Sequence, residues 1–374
     1  MKTQRLDFID YLRAWALIIM IEVHVVNCFM LPSLRNTMWF DILHFINGLV
    51  APTFIFISGF SFIIATYGKR KELIQFGSTF FKRVSRIFLI VIIGYLIHIP
   101  YFSLKNIIIY ATPIEMNSFY NADVLQCIGS GLLLLLLLRM IIPSDRLYHG
   151  VITLYGLTVV IASPYIWTID FSQWIPLPLA CYCNELHGSF FPIFPWHGFL
   201  FLGAAYGIIY INIPSIKKKL FFTSSIIFAI SISICGTLTL HYLLKNQSFT
   251  IKPSPLFFIT RYAMVITIMF IVQLYLSLKQ KSHTLLITIG QESLLVYWLH
   301  LQIIYRHIWN GKSLEVIVNQ QFGILESLMA FLALLSAMVV CALVWNKIKQ
   351  NYPMVAKKIV IAIIMLGGVT FFLL

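Results

Sequence analysis

Charge is what this sequence has least of. Only 11% of its 374 residues are charged, and 13 of them are acidic, whereas a soluble domain carries about a quarter charged residues. A chain so poor in charge cannot cover a water-facing surface, so lipid must be its solvent for much of its length. It also lacks any long polar stretch that would form a second, soluble domain, and it shows no internal repeat. Its six cysteines are too few and too scattered to define a framework. Cys28, Cys127, Cys235 and Cys341 fall in or at the ends of apolar runs and read as small packing residues. Cys181, Cys183 and His187 share one polar loop, but their spacing is not that of a familiar zinc site, and no metal is expected.

What the sequence has in abundance is hydrophobic length. Apolar runs able to cross a hydrocarbon core of about 30 Å recur from end to end. Spans are predicted near 14–31, 43–66, 84–103, 122–142, 147–168, 196–213, 220–243, 256–278, 284–305, 323–345 and 358–374. Helices are the expected form, because an open strand edge cannot be satisfied in lipid. The expected fold is thus an all-α bundle of about eleven transmembrane helices, one transmembrane domain over residues 1–374. The first span is too long for a signal peptide and lacks a small-residue cleavage site, so it is expected to remain in the protein.

With an odd number of spans, the N-terminus and the even-numbered loops lie on one face. All of the 27 Lys and Arg fall there except Arg35, Lys105, Lys245, Lys252, Arg261, Arg306 and Lys312. The positive-inside rule then places the N-terminus in the cytoplasm and the C-terminus outside. This topology, with anionic lipid headgroups, accounts for the net charge of +14 without a nucleic-acid partner. The longest loop, Ile169 to Pro195, contains no Lys or Arg and is dense in proline and aromatics. It reads either as an interfacial aromatic belt or as a lid or floor for an outer substrate.

Titratable groups at bilayer depth are costly and mark functional sites. Arg13 and His24 lie eleven residues apart on the first helix, about three full turns and roughly 16 Å along one face. Asn27 falls beside His24, and Asp10 can hold Arg13. Tyr297 and His300 share a face of the ninth span, with Glu292 before them. Asp123 and Gln126 open the fourth, Ser58 and Gly59 interrupt the second, His98 lies in the third, and Trp196 with His197 begin the sixth. Together these groups describe a polar cavity within an apolar bundle. An imidazole there can act as base or nucleophile, or as a proton relay in a transporter.

The opening IDYLRAWALIIMIEVH (9–24) resembles the start of membrane acyltransferases of the acyltransferase-3 superfamily. LVAPTFIFISGFSF (49–62), DVLQCIG (123–129), FPWHGFLFLGAAYG (194–207) and IGQESLLVYWLH (289–300) follow in order. In that order they are most similar to the heparan-α-glucosaminide N-acetyltransferase-like branch. The resemblance implies transfer of an acyl group, commonly acetyl from acetyl-CoA, to an amine or hydroxyl of a sugar or glycan. It matches His24 to the family's essential histidine and Arg13 to its paired arginine. Ser58 and Gly59 match its Ser-Gly, and His300 ends its Tyr-x-x-His. Ala14 and Trp15 depart from it, since the family often has glycine after the arginine.

The expected chemistry follows from these assignments. Arg13 with Arg70, Lys71, Arg83 and Arg86 would hold the CoA phosphates, and Ser58 and Gln126 would line the cofactor's path. His24 would deprotonate the acceptor, or would carry the acyl group itself. Asn27, Ser58, Tyr297 or His300 would stabilise the oxyanion. The expected setting is a bacterial inner membrane. Bundle-type membrane enzymes often pair, so a homodimer is left open. A proton-coupled transporter or flippase using His24 is the alternative function.

Overall fold

The structure is a computed structural model and describes residues 6–245, 252–278, 284–309 and 311–373. Lys2, Arg5, Lys279 and Lys281 of the basic face lie outside the described residues. Regular structure among the described residues is helical, apart from two isolated β-bridges.

Thirteen helices carry the fold. They are α1 (Asp7–Phe29), α2 (Met38–Asn47), α3 (Val50–Thr66), α4 (Ser78–His98), α5 (Val124–Ile141), α6 (Asp145–Ile166) and α7 (Ile193–Asn212). α8 (Ser215–Lys245), α9 (Pro255–Leu278), α10 (Thr284–Gln291), α11 (Ser293–Tyr305), α12 (Ile324–Asn351) and α13 (Pro353–Leu373) complete them. Short helices such as Arg70–Ile74 and Leu104–Tyr110 sit between.

Among the described residues, eight helical segments are long and apolar enough to cross a membrane, with Met38–Thr66 counted as one. Three predicted spans, near 84–103, 220–243 and 284–305, are not among these eight; the second falls in α8, whose apolar stretch among the described residues is the shorter Ser225–Thr239. α4 carries Lys82, Arg83 and Arg86 in its first turns, which dilutes its hydropathy. The span expected over 284–305 is broken at Glu292 into α10 and α11. The break has a cause: the Glu292 carboxylate accepts from Asn346 at 2.8 Å and from Lys349 at 2.5 Å, both on α12. α1 begins at Asp7, seven residues before the predicted span, with Asp7 and Asp10 in its first turn where the helix dipole favours acids.

The chain divides into two compact units. In the first, Ala51–His98 with Pro113–Leu278, α7 packs along α6 and α8 along α9. Here α3 and α7 cross backbone to backbone. A Cβ on Gly59 would lie 1.9 Å from the Leu200 carbonyl oxygen, and one on Gly203 would lie 2.4 Å from that of Phe56. Small residues permit such close crossings where lipid supplies no hydrophobic drive between helices.

The second unit comprises Leu6–Val50, Ile99–Thr112 and Lys279–Leu374. Its centre is α1, packed on α10, α11 and α12. Gly290 of α10 meets α1 so closely that a Cβ would fall 1.9 Å from the Asp10 carbonyl oxygen. α12 and α13 turn most of their apolar side chains outward, Leu325, Ile363 and Leu366 among them. Outward apolar faces of this extent belong against lipid. The chain is a polytopic, all-helical membrane protein.

Candidate active site

The second unit brings two imidazoles together. His24, five residues from the end of α1, places Nδ1 2.8 Å from the Tyr305 hydroxyl. Cys28, one turn further along α1, puts its sulfur 3.1 Å from the same oxygen. The His24 and His300 rings lie 5.3 Å apart between centroids. Tyr297 stands edge-on to His300 at 6.0 Å, as their three-residue spacing on one helix predicts. His300 is fully buried, and its Nδ1 lies 2.7 Å from the Val296 carbonyl oxygen. His300 Nε2 is buried with no hydrogen-bond partner.

The fold fixes the end of α1 that carries this cluster. A helix leaves its last carbonyls without intrahelical donors. Arg35 of the turn Pro32–Arg35 supplies them, donating to the oxygens of Val26, Asn27 and Met30 at 3.2, 3.0 and 2.9 Å. The backbone N–H groups of Gln320 and Phe322 take the carbonyls of Cys28 and Phe29. Asn27 is exposed, and its backbone oxygen belongs to this cap. At the other end, Arg13 pairs with Asp10 at 3.2 Å, as expected. Because α1 starts early, Arg13 lies inside the helix rather than at its edge. Ala14 is fully buried while Trp15 is 51% exposed. The departure from the family motif therefore points a bulky ring away from the unit's core.

The remaining predicted residues lie in the first unit. Ser58 donates to the Phe54 oxygen at 2.8 Å, one turn back on its own helix, and its neighbour Gly59 serves the α3–α7 crossing. Arg70 and Lys71 open the helix Arg70–Ile74, which packs against α4, the helix of Arg83 and Arg86. Arg70 donates from Nη2 to Met140 O at 2.9 Å and from Nε to Ile142 O at 3.2 Å. It thereby caps the C-terminal end of α5, where a cation also suits the helix dipole. Gln126 is fully buried on α5, and both its Nε2 and its Oε1 lack partners. It faces Gly94 of α4, where a Cβ would come within 2.7 Å of Oε1.

Two other polar groups of this unit are satisfied. His98 pairs with Asp123 at 3.0 Å. His197 sits in a closed network, with Nε2 3.1 Å from both the Cys127 oxygen and Ser130 Oγ, and Nδ1 3.1 Å from the Tyr155 hydroxyl. A histidine with all its valences met staples α5, α6 and α7 together. His300 differs from it by one orphan nitrogen.

The long loop is laced from within. Asp170 Oδ1 accepts from His187 Nε2 at 2.9 Å and from Ser172 Oγ at 2.7 Å. Asn184 donates to the carbonyls of Ile166 and Ile169, and Ser189 ties Cys181 to Ala122. Hydrogen bonds from Ser172 and then His187 hold the Asp170 carboxyl below its ordinary value. Among the described residues, no three His, Cys, Asp or Glu side chains converge as metal ligands.

Sequence reasoning missed Tyr305 and Cys28. Cys28 follows His24 by four residues, so helical spacing already placed it on the same face. Tyr305 is five residues beyond His300, off its face on an ideal helix, and periodicity does not bring it to the site.

A polytopic membrane protein with an imidazole pair at the capped end of α1 is the class these observations define. Residues 5–248 match the model of the heparan-alpha-glucosaminide N-acetyltransferase catalytic family, and the chain belongs to that family. The match supports that branch of the resemblance and does not reach the wider acyltransferase-3 label. It covers His24 and Arg13, while Tyr297, His300 and Tyr305 lie beyond it. A search of curated proteins finds no match.

Proposed function

We propose that this chain transfers an acetyl group from cytoplasmic acetyl-CoA to an amine or hydroxyl of a sugar or envelope glycan at the outer face of a bacterial inner membrane. Family membership supports acetyl transfer. The observation that carries the reading to particular residues is the paired imidazoles of His24 and His300, 5.3 Å apart at the capped end of α1.

An imidazole of this pair takes the acceptor's proton as its oxygen or nitrogen attacks the thioester carbonyl. Tyr297 stands beside the pair, while Asn27, exposed at the helix cap, is less suited to an oxyanion role. Arg70, Lys71, Arg83 and Arg86 of the first unit hold the donor's phosphates, and Arg13 on α1 is a separate candidate for the same role. Arg70 does so with the donors that its helix cap leaves over. The unpartnered amide of Gln126 suits an amide of the pantetheine arm, which offers both a donor and an acceptor.

Reconstitution in proteoliposomes tests the reading. With acetyl-CoA on the basic face and a glucosamine acceptor on the other, the wild type is expected to form acetylated product. His24→Ala should be slower by about 10²-fold or more, the usual worth of a positioned acid or base. Equal rates would remove His24 from the chemistry. No product from either would leave proton-coupled transport as the better account.

A further inference from the structure

Four of the helices long enough to cross a membrane meet, end to end, around one cleft of the first unit. The end of α3 supplies Thr66 and Tyr67, the end of α5 Arg139, the start of α6 Asp145 and Tyr148, and the last part of α7 Ile208. Helices that span a bilayer end at its headgroup level, so the cleft lies at the membrane surface. It is open on one side, encloses about 230 Å³, and narrows inward to the width of a single oxygen atom. The turns beside it are basic. Lys69, Arg70 and Lys71 follow Tyr67, and Arg146 follows Asp145. Arg70 reaches the carbonyls of Met140 and Ile142, next to Arg139 in the chain.

Arg139 is only 5% exposed. Its Nη2 donates to Asp145 Oδ1 at 2.5 Å, and its guanidinium lies 5.2 Å from the centre of the Tyr148 ring. Its Nη1 is buried and has no hydrogen-bond partner, a costly state for a charged donor. The hydroxyl hydrogens of the wall are already spent. Thr66 donates to Phe62 O, Tyr67 to Asn212 Oδ1 and Tyr148 to Leu135 O. What the wall has left to give is the second arm of Arg139 and the N-terminal end of α6. That helix runs for 22 residues, and the first N–H groups of a helix have no acceptor of their own and favour an anion.

We propose that this cleft is a phosphate site. One phosphate oxygen enters the narrow part and accepts from Arg139 Nη1, while the others stay at the mouth beside the basic turns. A guanidinium with a helix N-terminus suits phosphate in particular. The group belongs to a soluble phosphate or to the headgroup of a lipid in the adjoining leaflet, and both present the same oxygens. Asp145 opposes the binding, because its carboxylate occupies Nη2 and repels an anion. Two substitutions must therefore act with opposite sign, which a purely structural ion pair would not produce. This reading does not depend on acetyl transfer.

The test uses full-length protein, stripped of lipid, in a maltoside detergent and phosphate-free buffer. Calorimetric titrations with inorganic phosphate and with short-chain phosphatidylglycerol are run separately. One saturable equivalent is expected: with phosphate the ligand is soluble, with the lipid alone it is a headgroup. Arg139→Gln should weaken that binding by about 10–10²-fold, one charge-assisted hydrogen bond's worth. Asp145→Asn should tighten it by about 3–10-fold, as a nearby like charge is removed. Binding in neither arm, affinity for phosphate no better than for chloride, or equal affinity in Arg139→Gln overturns the site. If Arg139→Gln does not fold, Asp145→Asn decides, since its side chain is 51% exposed. Unchanged or weaker binding in that variant also overturns the site.

Discussion

Gln126 and His197 are both fully or almost fully buried polar side chains of the first unit, and only one is satisfied. The difference has an energetic sign. An unpaired buried amide costs about 1–3 kcal/mol, and leucine fills a similar volume without the penalty. Gln126→Leu is therefore expected to raise the thermal unfolding midpoint of the ligand-free protein, by about 1–3 kcal/mol of stability. The same change should raise KM for acetyl-CoA about tenfold, one lost hydrogen-bonded pair's worth. A lower midpoint would show that the amide is already paired in the free protein. Helical spacing makes the closeness of Tyr297 to His300 legible, whereas the approach of His24 to His300 joins two helices and no spacing gives it. The orphan status of Gln126 is not legible either, since it depends on Gly94 of another helix.

At the level of helices, the family motifs turn out to mix two kinds of residue. In IGQESLLVYWLH, His300 is the residue proposed for chemistry while Gly290 is space for the Asp10 carbonyl. In LVAPTFIFISGFSF, Gly59 is likewise space for Leu200. Ser58 spends its hydroxyl on its own helix. A methyl group 1.9 Å from a backbone oxygen cannot be relieved by a rotamer change, so Gly59→Ala and Gly290→Ala must push two helices apart. Each is expected to destabilise by about 1–3 kcal/mol or more. Gly150 of α6 has nothing within 4 Å of its would-be Cβ, so Gly150→Ala should gain up to about 1 kcal/mol of helix propensity. Fluorescence-detected size exclusion after a heat step would check all three; equal behaviour would refute the crossing geometry. The loop between α6 and α7 obeys the same separation of roles. Asp170→Asn keeps the shape but loses the charge that His187 and Ser172 address, and faster amide exchange confined to 169–195 is the expected result. Because the Asp170 carboxyl sits below its ordinary value, its contribution is complete above that value. It fades only as pH falls through the lower folded one.

For the whole chain, hydropathy read the class and most of the helices, because burial in lipid imposes one requirement on every span. It misread the places where a local interaction outweighs that requirement. These are Glu292, whose carboxylate is drawn to α12, and the start of α1, where two aspartates favour an earlier first turn. Sidedness comes from a different signal, the crowding of Lys and Arg into one set of loops, and can be tested independently of any activity. Lys71 and Lys312 are both exposed and fall in opposite sets. In a variant freed of its native cysteines, Lys312→Cys should react with a membrane-impermeant maleimide on intact cells, and Lys71→Cys only after the membrane is opened. The reverse pattern would put acetyl-CoA on the wrong side of the basic loops, and equal labelling of both would mean that the number of crossings between them is even. An odd number of crossings is what allows a donor held by the basic loops and an acceptor on the other face to be served by one chain.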